Sequence, residues 1–348
     1  MIENESIVRA GRICEAKFHT PSQILSFSLK TKKGRKLAFR YENRKILQKG
    51  AFLESSFMRF PYGKELEGIH TIAMDLDGTL LNSRGCISSL NHYVLSAALA
   101  QGIRLIIATG RRFSSALPFA LEFSGDLFVV SNNGQVLRAS PTGARVAETY
   151  LSPNAAAAVL DSGKKSGFDP ILHVDHYEDG VDILAESPIT DPKFHNYSGG
   201  DLKRSRVVKN CLDYGSDRIL VACFLSQQKD HLVELERNLL SLPESDQFRT
   251  VITRIHGVAY CLEVLEKNVS KWSAIDTFLR ANGLDSAGVV AFGDEKNDWE
   301  MISQAGFGFA MKNAIPYLRD RATYVTRYSN DEDAIAMTLL ELGALCFP

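Results

Sequence analysis

Four short apolar runs, each ending in residues that can do chemistry, constrain this chain more than any other feature: HTIAMDLDG, RLIIATGR, DLFVVSNNG and GVVAFGDEKND. A strand that is apolar at consecutive positions, rather than at alternate ones, is covered on both faces. Between the first two runs, SSLNHYVLSAALAQG carries its apolar residues at helical spacing. Strand, helix and strand in succession build a parallel sheet through right-handed crossovers, with helices on both faces. The expected fold class is therefore α/β. Ligands in such sheets bind beyond the carboxyl ends of the strands, where all four runs stop.

The third and fourth runs are far apart, and the chain between them is built differently. From Ser152 to Ile255 it carries an alanine-rich helix (NAAAAVLDSGKKSG), strand-like stretches (DPILHVDHY and RILVACFL) and an amphipathic helix (HLVELERNLLSL). Residues 152–255 are thus expected to form a large α+β insertion, with the parallel sheet assembled from residues 69–151 and 256–348. Residues 1–68 stand apart again. They hold 14 Lys and Arg against 7 Asp and Glu, and in them ILSFSLK and KLAFRYE alternate apolar and polar residues around TKKGR, the pattern of a β-hairpin. A small basic N-terminal extension is expected there.

Composition narrows the partners. Over all 348 residues, 40 Lys and Arg face 41 Asp and Glu, so no overall field draws the chain to nucleic acid or to an anionic membrane. No apolar run is long enough to span a bilayer, and the opening MIENESIVRAGRICEAKF has acidic residues where a secretory signal needs basic ones. The 6 cysteines, at positions 14, 86, 211, 223, 261 and 346, form neither a CxxC pair nor a short disulfide framework. Reduced thiols and a cytoplasmic location are the expectation. The basic hairpin, with Phe27, Phe39 and Tyr41 among its charges, offers raw material for stacking on nucleic acid. A solvated hairpin with inward aromatics uses the same letters, and no recognition motif accompanies it.

In DLDGTLL, Asp75 and Asp77 leave the sheet where Gly78 permits a bend. Two carboxylates there call for a cation. A hard ion such as Mg²⁺ fits, since it takes a few carboxylates together with water and substrate phosphate. Thr109 ends the run RLIIATG, where its hydroxyl and the backbone N–H groups from Gly110 onward suit phosphoryl oxygens at a helix N-terminus. Lys271 opens the helix KWSAIDTFLRANGL, a position at which the helix dipole disfavours a cation that has no anion to meet. In GDEKND, Asp294 again follows an apolar strand, and Asp298 offers a further carboxylate for the metal, its water shell or Lys271. Each feature by itself is equally explained by a helix cap or a solvated charge. Their joint occurrence at the ends of successive strands is far less expected by chance.

On these residues the sequence resembles the haloacid dehalogenase superfamily over about residues 70–340, and within it the Cof-type phosphatases, which insert a large α/β cap between their second and third motifs. DLDGTLL is similar to the first motif, ATGR to the second, Lys271 in VSKWSAI to the third and GDEKND to the fourth; SNNG, AMKNA and SNDEDAIA also look like that subgroup. The resemblance implies a Rossmann-like core, an inserted cap and Mg²⁺ as cofactor. It implies Asp75 as nucleophile and metal ligand, Asp77 as general acid and base with its backbone carbonyl on the metal, Asp294 as a further ligand, and Asp298 as support for the metal's waters. Thr109, Lys271 and Asn297 would hold the transferring phosphoryl group, with Asn133 and Gly134 where substrate or cap meets the core. Glu295 and Lys312 depart from the pattern, standing where the subgroup usually has glycine, and residues 1–68 have no counterpart in it.

The function implied is hydrolysis of a small phosphorylated metabolite, a sugar phosphate or similar phosphomonoester, through an aspartyl-phosphate. A phosphomutase would use the same intermediate, and a non-catalytic binding protein could keep the fold, although every catalytic position is filled here. The stretch HVDHYEDG raises a second metal site at His173, Asp175 and His176. An alternating strand sends His173 and His176 to opposite faces, so a cap strand running into a turn at Glu178 to Gly180 is the preferred reading.

Overall fold

The computed structural model describes residues 68–186, 197, 203–215, 218–255 and 259–343, and the backbone of three strands before them. Those strands, β1 (Cys14–Phe18), β2 (Leu25–Lys30) and β3 (Lys36–Tyr41), form an antiparallel sheet, with β2 and β3 paired from Leu25↔Tyr41 to Lys30↔Lys36. The TKKGR turn and the side chains of Phe27, Phe39 and Tyr41 lie outside the described residues. Contacts divide the chain into one unit of residues 1–66 with 341–348 and another of residues 67–340.

The larger unit begins with β4 (Thr71–Met74), β5 (Arg104–Ala108), β6 (Leu127–Ser131), β7 (Val136–Ser140) and β8 (Arg145–Glu148). Six strands then form a sheet of their own: β9 (Ile171–His176), β10 (Val181–Ala185), β11 (Ser205–Val207), β12 (Ile219–Ser226), β13 (Phe248–Ile255) and β14 (Ala259–Glu266). The chain returns to the first sheet with β15 (Val289–Gly293), β16 (Phe307–Ala310) and β17 (Tyr324–Val325). The first sheet runs β17-β16-β15-β4-β5-β6-β7-β8, parallel from β17 to β6. From β4 the chain moves outward to β5 and β6, and after the insertion it restarts on the other side of β4 with β15. That reversal is the topological switch point at which open α/β sheets bind ligands.

Apart from the edge strand β17, the parallel strands are wholly or almost wholly buried, which accounts for their unbroken apolar sequences. β7 and β8 extend the sheet antiparallel at its edge, two strands that the sequence pattern does not announce. The second sheet also extends past Ile255, where the sequence reading closed the insertion. β14 pairs with β13 from Ile255↔Ala259 to Phe248↔Glu266 and with β12 on its other side. It is an inner strand of that sheet.

Helices Pro153–Lys165 and Lys229–Leu240 cover one face of the second sheet, burying Val159, Leu160, Leu235 and Leu239 against Leu172, Phe224, Leu262 and Val264. On the other face, among the described residues, Tyr150 and Tyr197 pack against the apolar side chains. Its Ile183, Val221, Cys223 and Cys261 cluster with Val136 of β7, so this face of the cap lies toward the core. Among the described residues no helix is long and apolar enough to cross a membrane, and Cys86, Cys211, Cys223 and Cys261 are free thiols.

Candidate active site

β4 ends at Met74, which lies beside Phe292 of β15 and Ile107 of β5. The residues just beyond these strands therefore emerge together: Asp75 from β4, Asp294 from β15 and Thr109 from β5. Gly78 turns the chain with φ 76°, and a Cβ there would lie 2.3 Å from the Asp294 carboxylate. A side chain at this position would both strain the turn and push Asp294 out of place. The Asn313 side-chain amide holds the turn by donating to the Gly78 carbonyl at 2.8 Å.

Helix Lys271–Ala281 is started by a capping box between Ser270 and Ser273, which directs its first residue at the sheet. Lys271 is buried, and its Nζ donates to Asp75 Oδ1 and to Asp298 Oδ1, each at 2.6 Å. The other oxygen of Asp298 accepts from the backbone N–H groups of Asp294 and Glu295, each at 2.9 Å. Asp298 is thus fully committed to holding the lysine and the loop. Burial favours the neutral form of Asp75, raising its pKa to about 8 against the opposing pull of Lys271. Burial likewise pushes Asp294 to about 6, opposed by the Thr79 hydroxyl, which donates to its Oδ1 at 2.7 Å. For Lys271 burial works against the charge, but Asp298 and Asp75 outweigh it and the pKa rises.

Acid oxygens of Asp75, Asp294 and Asp298 lie within 4.8 Å of one another. One ammonium faces these three carboxylates. An oxygen-ligand set with an excess of negative charge, at the exposed end of a sheet, fits a hard divalent cation, with Asp75 and Asp294 as the carboxylates not already spent on the backbone.

Around this cluster lie the remaining predicted residues. Thr109 is buried, and its hydroxyl accepts from the Arg111 N–H at 3.1 Å. Asn132 and Asn133 adopt φ of 50° and 57°, followed by Gly134 at 114°, where a Cβ would lie 2.0 Å from the Ser270 carbonyl oxygen. Glycine at 134 therefore lets this loop reach the start of the Lys271 helix. Asn297 Nδ2 donates to Asn133 Oδ1 at 2.9 Å, and a Cβ at Gly110 would stand 3.1 Å from that same oxygen. Asp77 turns away from the acid cluster. Its side chain is 56% exposed and is gripped by Arg111, with Nε on Oδ2 at 2.7 Å and Nη2 on Oδ1 at 2.5 Å.

Sequence reasoning passed over Thr79, Arg111 and Asn313, although all three stand inside the quoted motifs DLDGTLL, ATGR and AMKNA. The signal was their place in those motifs. The two departures from glycine are accommodated. Glu295 is exposed with φ −114°, a conformation open to any residue, and Lys312 points to Glu332 at 3.1 Å.

His173, Asp175 and His176 do not converge on a metal. His173 is hydrogen-bonded through Nδ1 to Asn132 at 2.8 Å and through Nε2 to the Tyr197 hydroxyl at 2.9 Å. Burial, aided by the charge of Arg112, lowers its pKa to about 3 and keeps it neutral. Asp175 accepts from the Tyr150 hydroxyl at 2.6 Å and forms ion pairs with Arg138 and, at 2.7 Å, with Arg145. Ser114, on the helix Phe113–Ala120 that follows the Thr109 loop, donates to Asp182, which Arg204 also holds at 2.8 Å. These bonds tie the core to the cap. A cleft between them is lined by Arg112, Asn132, Arg138, His173, Tyr177 and Asp182.

A family model described as haloacid dehalogenase-like hydrolase matches residues 72–339. The chain is 27% identical over 290 residues to a 5-amino-6-(5-phospho-D-ribitylamino)uracil phosphatase of Bacillus subtilis, a match covering 78% of this chain and 97% of that protein. It is 30% identical over 252 residues to an HMP-PP phosphatase of Klebsiella pneumoniae, covering 71% of this chain and 85% of the other. The crystal structure of a haloacid dehalogenase-like hydrolase from Bacteroides thetaiotaomicron superposes with a TM-score of 0.66 at 26% identity, covering 78% and 99% of the two chains.

Proposed function

The chain belongs to the haloacid dehalogenase-like hydrolases, and from that premise we propose that it is a Mg²⁺-dependent phosphatase of small phosphorylated metabolites, a sugar phosphate or similar phosphomonoester, working through a phosphoryl group carried on Asp75. The observation that carries the reading is the buried cluster in which Lys271 pairs with Asp75 and Asp298 and a third carboxylate, Asp294, lies beside them. Relatives named for small phosphorylated compounds support the substrate class.

With Asp75 Oδ1 held by Lys271, its other carboxylate oxygen is left to attack phosphorus. The new P–O bond forms as the bond to the leaving oxygen breaks, and Asp77 gives that oxygen its proton. In the second half Asp77 takes a proton from water, the water oxygen bonds to phosphorus and the bond to Asp75 breaks. Thr109, the Gly110 N–H, Lys271 and Asn297 hold the phosphoryl oxygens, and Asn133 with Gly134 shapes the side where the substrate meets the core. Mg²⁺, held by Asp75, Asp294 and the backbone carbonyl of Asp77, would supply charge neutralisation at the phosphoryl group, while Asp298, expected to support the metal's waters, instead fixes Lys271 and the Asp294 loop. Arg111 orients Asp77 until an arriving anion competes for its guanidinium.

Residues 1–68 are, on this proposal, an appended module outside the catalytic core and cap. The test is phosphate release from a panel of phosphomonoesters, run on the full chain and on one beginning at Glu67. Both should turn over with Mg²⁺, fail in EDTA and fail with Ca²⁺, whose larger and looser shell misplaces the nucleophile. Release without a bisphosphorylated activator separates hydrolysis from mutase chemistry. Full activity in chelator contradicts the metal assignment, and loss of activity in the shorter chain contradicts the boundary.

A further inference from the structure

The face of the cap sheet that lies toward the core carries a second group of metal-capable side chains, of a different chemistry from the first. Cys223 on β12 pairs with Glu263 on β14, and Cys261, two residues before Glu263, lies on the same face. Their two sulfurs and a carboxylate oxygen lie within 4.8 Å of one another. Both thiols are fully buried. Glu263 is half-buried beside them, and the charge of Arg249 on the neighbouring strand β13 acts on its carboxylate. The Tyr197 hydroxyl closes the group from one side, 3.0 Å from Cys223 Sγ and 2.9 Å from His173 Nε2.

We propose that Cys223, Cys261 and Glu263 form a site for a thiophilic divalent cation such as Zn²⁺, with the Tyr197 oxygen or a water completing the shell. Donors around tetrahedral zinc, at about 2.3 Å for sulfur and about 2.0–2.2 Å for oxygen, stand roughly 3.4–3.8 Å apart, so the three need to close by only about 1 Å. On binding, each thiol releases its proton to solvent as its sulfur bonds to the cation, two protons per ion, with no change of oxidation state. Softness separates this site from that of Asp75. Thiolates select zinc-like ions, whereas an all-oxygen set suits Mg²⁺. The site would cross-link β12 to β14 and, through Tyr197 and His173, reach Asn132 beside the catalytic loop. The proposal does not depend on the phosphatase reading.

Co²⁺ titration of the reduced, chelator-treated full chain tests it. Binding should produce a thiolate-to-cobalt charge-transfer band that Zn²⁺ abolishes and excess Mg²⁺ leaves in place, because oxygen ligands alone give no such band. The band should vanish in Cys223→Ser and in Cys261→Ser. Glu263→Gln, which keeps both thiols and the size of the side chain, should weaken Co²⁺ binding by about tenfold or more. In the unaltered chain, Zn²⁺ should protect Cys223 and Cys261 from alkylation as mapped by mass spectrometry. Absence of the band, its survival in the cysteine variants, or protection confined to other cysteines would overturn the proposal. So would a chain that binds no cation and instead links Cys223 to Cys261 under mild oxidation.

Discussion

Two clusters of charged side chains among the described residues of the larger unit balance their charge in different ways. Where cap meets core, Arg138, Arg145 and Arg204 pair with Asp175, Glu178 and Asp182, so each carboxylate faces a guanidinium. At the ends of β4 and β15, Lys271 pairs with Asp75 and Asp298 while a third carboxylate, Asp294, stands within 4.8 Å of both. Burying ions is costly, and evenly matched pairs offset that cost within the protein itself. An unmatched cluster keeps a demand for positive charge that protons or a bound cation must meet. Local charge surplus, more than burial or ion pairing, thus separates the proposed active site from the cluster that fastens cap to core.

Asp77→Asn should sharpen this contrast most. It removes the proton donor for the leaving oxygen and the base for water, and turnover should fall by about 10²–10⁴-fold. With p-nitrophenyl phosphate, whose leaving group needs little protonation, the phosphoenzyme should still form. Acid-quench measurements of phosphoenzyme on both substrate types decide it: it should build up with p-nitrophenyl phosphate and not with an alkyl phosphate, and equal amounts with both would contradict the proton-donor role.

Arg138→Met addresses the balanced cluster. It leaves buried Asp175 with Arg145 and Tyr150 but without its innermost partner, and should cost on the order of 3 kcal/mol in urea unfolding. Turnover per folded molecule should change little. In Asp75→Asn the pattern should invert, with metal-free stability unchanged or raised, since burial disfavours the ionised Asp75. If both variants lose stability alike, the two clusters do not differ as described.

A smaller effect follows from pH. Because burial raises Asp294 from 3.8 to about 6, the stability it contributes in the metal-free chain is complete below 3.8 and is lost as pH rises through about 6. Asp75 acts in the same sense through about 8. Mg²⁺ binds the ionised carboxylates, so its effect on Tm should be slight near about pH 4.5 and grow by roughly a few degrees toward about pH 8. Thermal scans at both ends test this, and an equal rise at each pH would count against it.

The parallel strands β4, β5, β6 and β15 were legible because burial on both faces leaves an unbroken apolar signature, and the groups at their ends because each stands inside a short motif; the short, half-exposed β17 carries no such signature. β14 was not. AYCLEVLE mixes polar and apolar residues in a way that suits a strand of either sheet, and only its register with β12 and β13 assigns it to the cap. The cap–core ion pairs join residues such as Arg138 and Asp175 that no local pattern relates. Nor could sequence show that Asp298 spends both oxygens on Lys271 and the backbone, or that Asp77 lies under Arg111.

The most direct test of the central claim is where the phosphoryl group goes. The Asp77→Asn chain, mixed with p-nitrophenyl phosphate and Mg²⁺ and quenched in acid, should gain the mass of one phosphoryl group, which peptide mapping should assign to Asp75. Asp75→Asn should gain none and release no phosphate. A phosphoryl adduct on any other residue, or substantial turnover by Asp75→Asn, would contradict the account.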